Sequence, residues 1–182
     1  METKELVDQL KSCGAIQYGH FVLTSGAVSD YYVDIKKAST NPTVLHTIAT
    51  HMKSMVKDKY DLIAGMELGA VPLIVALSLE TNIPFVIVRK QKRDHGTGKQ
   101  IEGESVKDKK VLIIEDVTTS GGSVVNTIQI LRQNKATVDK VITVVDRESG
   151  AREKIEKLNL TFQPLVTVKD IQKSTDFPFA CK

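Results

Sequence analysis

The stretch from Val111 to Ser123 constrains the fold of this chain more than any other. It reads Val-Leu-Ile-Ile-Glu-Asp-Val-Thr-Thr-Ser-Gly-Gly-Ser, so an apolar, β-branched run ends in two carboxylates, Glu115 and Asp116. A continuous apolar run of this kind is typical of a parallel strand that is buried on both faces. Residues 120–123 then open a helical pattern, and the free backbone N–H groups at such a helix start form a cradle for an anion.

The acids beside this cradle restrict the kind of ligand. Two carboxylates would repel a bare phosphate, but they suit a ligand that carries hydroxyls or a developing positive charge next to its phosphate. A phosphorylated sugar that ionises at carbon has these properties. The Gly-Lys-Ser/Thr of a Walker loop and the G-x-G-x-x-G of a dinucleotide site do not occur in the sequence. The alternative is an ordinary strand-to-helix turn with two exposed acids.

Composition narrows the class of protein. The chain has 182 residues, of which 41% are hydrophobic, and this is enough for one domain with a core. The net charge of +3 is too small to argue for a nucleic-acid partner, and no apolar run or signal peptide predicts a membrane partner. The two cysteines, Cys13 and Cys181, form no metal or disulfide pattern, which favours a cytoplasmic location.

Hydrophobic periodicity predicts an α/β fold with a central, mostly parallel sheet flanked by helices. We expect a single domain over 1–182, with a core at about 41–168 and a small hood formed by about 1–40 and the C-terminal tail. Pro164 puts the last strand at an edge or a bend. The helices are predicted at 2–13, 42–56, 70–79, 124–131 and 151–158, and the strands at 61–66, 84–88, 111–114, 140–145 and 161–168. Short strands and a loop are predicted over 15–35.

Chemically unusual residues follow four of the predicted strands. In open parallel sheets, ligands bind beyond the carboxyl ends of the strands, so we expect these residues to surround one crevice. They are Glu67, Arg89-Lys90, Glu115-Asp116 and Asp146-Arg147.

The segment 89–99 is strongly basic and contains Gly96 and Gly98. Beside a phosphate cradle, this composition predicts a mobile lid that delivers cations to a diphosphate. Taken alone, the segment would equally suit a solvated surface loop or a weak nucleic-acid patch.

The acidic pair and its Thr/Ser/Gly loop resemble the phosphoribosyl-diphosphate (PRPP) signature of type I phosphoribosyltransferases, and therefore imply their fold. Three further segments resemble orotate phosphoribosyltransferases. These are Phe21 to Asp34, the basic segment from Arg89 to Gly96, and Asp146-Arg147-Glu148. The resemblance implies a pentosyltransferase that joins orotate to PRPP with Mg²⁺ in pyrimidine synthesis. It also implies a homodimer in which loop 89–104 reaches the partner's active site.

Residue roles follow from this resemblance. The catalytic residues would be Arg93, His95 and Asp116, and the orotate-binding residues Thr119, Arg147, Tyr32 and Val33. No protein ligand of the metal is assigned. The PRPP-binding residues would be Arg89, Lys90, Arg93, His95, Glu115, Asp116, Val117, Thr118, Thr119, Ser120, Gly121, Gly122 and Ser123.

The sequence departs from the family at two places. Some members have lysine at the position of Thr24 and Tyr-Lys at Leu68-Gly69, so two side-chain contacts to PRPP are missing here. Two other functions fit the PRPP loop. A purine phosphoribosyltransferase would have no obvious need for Arg147, and a PRPP-sensing regulator would usually add a nucleic-acid-binding module.

Overall fold

The structure is a computed structural model that describes residues 3–22, 28–91 and 99–174. Over these ranges the chain alternates helices with strands. The helices are α1 (Thr3–Ser12), α2 (Ile35–Ser39), α3 (Pro42–Met55), α4 (Val71–Thr81), α5 (Gly122–Gln133), α6 (Ala151–Glu156) and α7 (Val168–Lys173). The strands are β1 (Ile16–Val22), β2 (Val28–Val33), β3 (Leu62–Met66), β4 (Phe85–Val88), β5 (Ile101–Glu102), β6 (Lys110–Thr118), β7 (Thr137–Asp146) and β8 (Thr161–Thr167).

Six strands form the main sheet in the order β5-β4-β3-β6-β7-β8. Neighbouring strands are parallel except for β4 and β5, which are antiparallel. The predicted α/β fold with a mostly parallel sheet is therefore confirmed, and β8, which contains Pro164, lies at an edge. The chain order reverses between β3 and β6, and such a switch point is where open α/β sheets bind ligands.

The central strand β6 packs a different helical layer on each face. Leu112 and Ile114 join the hydrophobic cluster that includes α1, α3 and α4. Val111 and Ile113 join the cluster that includes α5 and α6. All four side chains are at most 1% exposed. Because successive side chains of a strand point to opposite faces, the apolar run fills both halves of the core.

The N-terminal segment adds a separate two-stranded antiparallel sheet, β1–β2. Helix α1 buries Leu6, Val7 and Leu10 in the same cluster as Ile48 and Ile171. The segment is thus attached to the core by apolar packing. The division into a hood and a PRPP-binding core remains a prediction.

The largest differences from the sequence-based expectation are three short elements and the lengths of two strands. Strand β6 continues to Thr118 instead of ending at Ile114, because β7 pairs with it as far as Thr118 and Asp146. Strand β7 begins at Thr137, three residues before the predicted start. The short elements α2, β5 and α7 were not predicted. They have at most six residues each, too few to show a hydrophobic period.

Local sequence signals account for the start of α3. Asn41 caps α3 by accepting hydrogen bonds from the backbone N–H groups of Thr43 and Val44, and Pro42 occupies the first turn.

Among the helices of the described ranges, none combines the length and the apolar composition that a membrane crossing requires.

Replacing Leu10 by alanine tests whether the N-terminal segment unfolds together with the core. Leu10 is completely buried, so its truncation should lower the free energy of unfolding by about 2–5 kcal/mol. The exposed Lys4 of the same helix serves as the control, and Lys4→Ala should change the free energy by less than about 0.5 kcal/mol. Urea unfolding followed by two spectroscopic probes measures both. Two separate transitions would contradict a single domain over 1–182.

Candidate active site

The acidic pair lies at the carboxyl end of β6, and its two members differ in environment. Glu115 is only 5% exposed, whereas Asp116 is half-buried. Ser123 Oγ donates to Glu115 Oε2 at 3.2 Å, and the backbone N–H of Asp116 donates to Glu115 Oε1 at 3.2 Å. Burial, and after it the neighbouring Asp116 carboxylate, raises the pKa of Glu115 to about 8. Burial thus favours the protonated form of Glu115.

The turn after β3 lies directly against the acidic pair. A Cβ atom added at Gly69 would sit 2.0 Å from Asp116 Oδ2, so no other residue fits this position unless Asp116 moves. The peptide bond between Glu67 and Leu68 in the same turn is cis. Glycine at position 69 thus allows the turn 67–69 to approach the Asp116 carboxylate closely.

The turn after β6 has the backbone geometry that the predicted anion cradle requires. Gly121 has a φ of +78°, and a Cβ there would meet Ala151 Cα at 3.0 Å, so glycine is required. Helix α5 begins at Gly122, which faces open space. The N–H groups of a first helical turn have no partner within the helix, and they carry the positive end of its dipole. The turn can therefore bind a phosphate group.

Not all of the predicted PRPP loop lies in this turn. Val117 and Thr118 belong to β6 and pair with β7. Thr118 is 2% exposed, and its hydroxyl donates to Asp146 Oδ1 at 3.0 Å. Thr118 thus fixes two strand ends to each other, and 119–123 provide the open turn.

Arg89 is held between two carboxylates. Its Nη2 lies 3.8 Å from Glu67 Oε2, and its Nη1 lies 3.6 Å from Glu102 Oε1. The backbone N–H of Lys90 also donates to Glu67, at 3.2 Å from Oε1. Glu67 therefore connects the end of β3 to the end of β4. The Nε atom of Arg89 is buried and has no hydrogen-bond partner among the described residues.

Arg147 contacts the N-terminal segment through Tyr31. The guanidinium carbon lies 5.0 Å from the centre of the Tyr31 ring, and Nε donates to the tyrosine hydroxyl at 3.4 Å. Asp146, which is 2% exposed, accepts from the backbone N–H of Glu148 at 3.1 Å. The Arg147 side chain is thus oriented by an aromatic ring that lies 116 positions earlier in the chain.

A cavity of about 210 Å³ joins several of these groups. It is bordered by the acidic pair, the turn 67–69, Lys90 and Ser123, and also by Lys36 of α2. A larger cavity, of about 450 Å³, lies beside residues 99–101, 103–107 and 133–135. The acidic pair does not border this larger cavity, so we assign the site to the smaller one on the basis of its chemistry.

The predicted site residues are brought together in part. The acidic pair, Ser123 and Lys90 meet at one cavity. Arg89 follows β4 and Arg147 follows β7, the strands on either side of β3 and β6. Tyr32 and Val33 lie on β2, where the Tyr32 ring is 5.6 Å from the ring of Phe21. Arg93, His95 and Thr24 fall outside the described residues.

Sequence reasoning missed three residues of the site. Lys36 and Tyr31 come from the N-terminal segment, and Glu67 was noted without a role. The sequence signal for Tyr31 was its place in the Phe21–Asp34 signature, and the signal for Lys36 was its place shortly after that signature.

Among the described residues, no group of three or more His, Cys, Asp or Glu side chains is arranged to bind a metal ion. The cavity oxygens of Glu67 and Asp116 suit Mg²⁺ chemically, and phosphate oxygens and water would complete its coordination.

Comparisons with known proteins agree with this geometry. Residues 36–176 match the phosphoribosyl transferase domain family. An orotate phosphoribosyltransferase from Pyrococcus horikoshii is 53% identical over 173 residues, which cover 93% of each chain. The crystal structure of orotate phosphoribosyltransferase from Aeropyrum pernix is 29% identical, with a TM-score of 0.84 over 92% of this chain and 96% of that one. The crystal structure of the Mycobacterium tuberculosis enzyme in complex with PRPP is 28% identical. Its TM-score is 0.79 over 93% of this chain and 98% of that one.

The two lines of comparison lead to one assignment. The domain match covers most of the chain, and the identity to the Pyrococcus relative extends over nearly the full length of both proteins. The chain belongs to the orotate phosphoribosyltransferase family.

Proposed function

We propose that this chain transfers the ribose 5-phosphate group from PRPP to orotate, giving orotidine 5′-monophosphate and diphosphate, as a cytoplasmic step of pyrimidine biosynthesis. The observation that carries the proposal is the contact between the half-buried Asp116 and the glycine turn at Gly69, next to the cradle at 119–123. This arrangement offers acceptors for sugar hydroxyls beside donors for a phosphate.

The cradle and the acids have separate roles in binding PRPP. The backbone N–H groups of the turn 119–123 bind the 5-phosphate. The hydroxyl of Thr119 adds a donor, and so does that of Ser123 when it exchanges Glu115 for the phosphate. Glu115 and Asp116 accept hydrogen bonds from the ribose hydroxyls. The negative charge of Asp116 also stabilises the positive charge that develops at the anomeric carbon as the diphosphate leaves.

Cations at the end of β4 receive the leaving diphosphate. Lys90 borders the cavity, and Arg89 is oriented by Glu67 and Glu102. Arg93 and His95 are assigned by their resemblance to the family's catalytic loop. Arginine cannot readily lose a proton, so Arg93 supplies fixed charge, and His95 is the better proton donor to the diphosphate. Bound Mg²⁺ neutralises part of the diphosphate charge.

Arg147 recognises the orotate carboxylate. A guanidinium binds a carboxylate with two parallel hydrogen bonds, and this geometry requires a fixed orientation of its plane. The Tyr31 ring and hydroxyl provide that orientation. Thr119 and the backbone of Tyr32 and Val33 bind the pyrimidine edge.

A homodimer is part of the proposal, and helix α4 supports it. Residues 71–79 contain no charged side chain, although Leu79 is 78% exposed and Leu68 in the preceding turn is 69% exposed. A solvated helix normally carries charge on its outer face. The apolar stripe formed by Leu68, Val75 and Leu79 would therefore be covered by the same stripe of a second copy. Because Leu68 borders the cavity, the partner, with its loop 89–104, would lie beside the active site.

A turnover assay with PRPP, Mg²⁺ and a panel of orotate, uracil, adenine and hypoxanthine tests the reaction. Only orotate should react efficiently, because uracil lacks the carboxylate and the purines do not fit the Arg147 contact. Arg147→Ala should raise the KM for orotate about 10- to 100-fold, the cost of losing a charged hydrogen-bond partner. Faster turnover of a purine base than of orotate would contradict the proposal.

Two substitutions of Tyr31 separate the role of its ring from the role of its hydroxyl. Tyr31→Phe keeps the stacked ring and should raise the orotate KM only about twofold to fivefold, because it removes a single hydrogen bond. Tyr31→Leu should raise it further, with the KM for PRPP unchanged. Tyr18→Phe, on the neighbouring strand β1, is the matched control.

The raised pKa of Glu115 predicts a pH dependence of PRPP binding. Hydroxyl donors and a nearby cation favour the charged carboxylate, so binding should release the proton that Glu115 holds below about pH 8. PRPP affinity should therefore rise between about pH 6 and pH 8, by at most about tenfold per unit. Calorimetry of wild type and Glu115→Gln measures this directly. The PRPP phosphates titrate equally with both proteins, so equal slopes would show that Glu115 keeps its proton.

Introducing a charge into the apolar stripe tests the homodimer. Leu79→Glu should produce a folded monomer in sedimentation equilibrium, because a buried unpaired carboxylate opposes association. Val22→Glu, at an exposed apolar residue of β1, should leave the assembly unchanged. A dimeric Leu79→Glu variant would rule out this interface. Turnover should fall with dissociation if loop 89–104 serves the partner's site.

A further inference from the structure

Lys36 is a cationic residue of the N-terminal segment. Among the described residues, no other cation from this segment borders the active-site cavity. Lys36 borders the same cavity as the acidic pair and Lys90. Its Nζ lies 3.4 Å from Asp34 Oδ1, and its side chain is 58% exposed. The ammonium group is thus held loosely enough to exchange its partner when an anion enters the cavity.

Helix α2 presents Lys36 in a fixed direction. Asp34 caps the helix by accepting from the backbone N–H of Lys36 at 3.2 Å, and its own N–H donates to Ala15 O at 2.7 Å. Ile35 and Ala38 are at most 1% exposed and belong to the main core cluster. The backbone of Lys36 is therefore anchored on the core, and only its side chain is free to adjust.

The charges around the cavity show what such a cation can do. Three carboxylates, those of Glu67, Glu115 and Asp116, border the cavity. The turn 67–69 supplies no cation at its third position, because that residue is Gly69. A diphosphate entering this space needs positive charge, and among the described residues Lys36 and Lys90 are the lysines that border the cavity.

The remaining parts of PRPP already have partners. Under the proposed function, on which this inference rests, the amide cradle binds the 5-phosphate and the acids bind the ribose hydroxyls. The diphosphate is the group left for a cation at the cavity wall. We infer that Lys36 is a further binding residue for the diphosphate of PRPP, and that it replaces its contact with Asp34 by one with a phosphate oxygen.

The test compares Lys36→Met with Lys37→Met. Lys37 is the next residue of the same helix, is also exposed, and lies beside Gly14 at the end of α1. Calorimetry with inorganic pyrophosphate and Mg²⁺ measures the contact without requiring turnover. Lys36→Met should weaken pyrophosphate binding about 10- to 100-fold, as expected for the loss of a charged hydrogen bond. Lys37→Met should bind as wild type does, and Lys36→Arg should recover most of the affinity.

Orotidine 5′-monophosphate serves as the second probe, because it carries the 5-phosphate and ribose but no diphosphate. Its affinity should be the same in Lys36→Met and wild type. Equal weakening of both ligands would overturn the assignment, since it would put Lys36 at the 5-phosphate or make its effect structural. Equal pyrophosphate affinity in the two methionine variants would also overturn it. A wild-type protein that binds pyrophosphate but does not convert orotate would instead contradict the proposed function.

Discussion

The parallel pairing of β6 with β3 on one side and β7 on the other fixes the position of the acidic pair relative to the neighbouring strand ends. The pairs Gly65–Ile114 and Thr118–Asp146 set where each strand ends relative to its neighbour. Four apolar residues of β6, buried on alternate faces, hold this register, because a slip of one residue would turn each of them to the wrong layer. The core thus determines that the acids of β6 meet the turn after β3.

The same pairing makes the site electrostatically unfavourable before a ligand arrives. It brings a buried glutamic acid next to an aspartate, and burial raises the pKa of Glu115 to about 8. Ser123 and a backbone N–H offset part of this cost by donating to Glu115. Functional sites commonly keep buried charges that are unfavourable for stability. Here the apolar core on both sides of β6 offsets the cost of burying Glu115 next to Asp116. A ligand with hydroxyl donors and a positive centre relieves the repulsion.

The chain's local patterns predicted the sheet, the acidic pair and Gly121, because each depends on neighbouring residues. The apolar run at 111–114 identifies a buried strand, and Gly-Gly after it identifies a turn that opens a helix. Patterns of this kind could not show that β6 continues to Thr118, since the extension depends on hydrogen bonds to β7. They also could not show the contact between Arg147 and Tyr31, because the two residues lie 116 positions apart. The close approach of Gly69 to Asp116 could not be predicted either, because the two residues follow different strands of the sheet.

The described residues of the site come from two parts of the chain, the strand ends of the main sheet and the N-terminal segment. Their positions depend on the core in different ways. The ends of β3, β4 and β6 supply the acids, the cradle and Lys90, which suit any PRPP-dependent reaction. Tyr31 and Lys36 come from the N-terminal segment, which is attached to the core by the buried face of α1. Under the proposed function, selectivity for a carboxylated base depends on how this segment packs, because Tyr31 orients Arg147. Most of the proposed PRPP contacts depend instead on the strand register. One sheet can therefore serve different acceptor bases when only the segment that covers it changes.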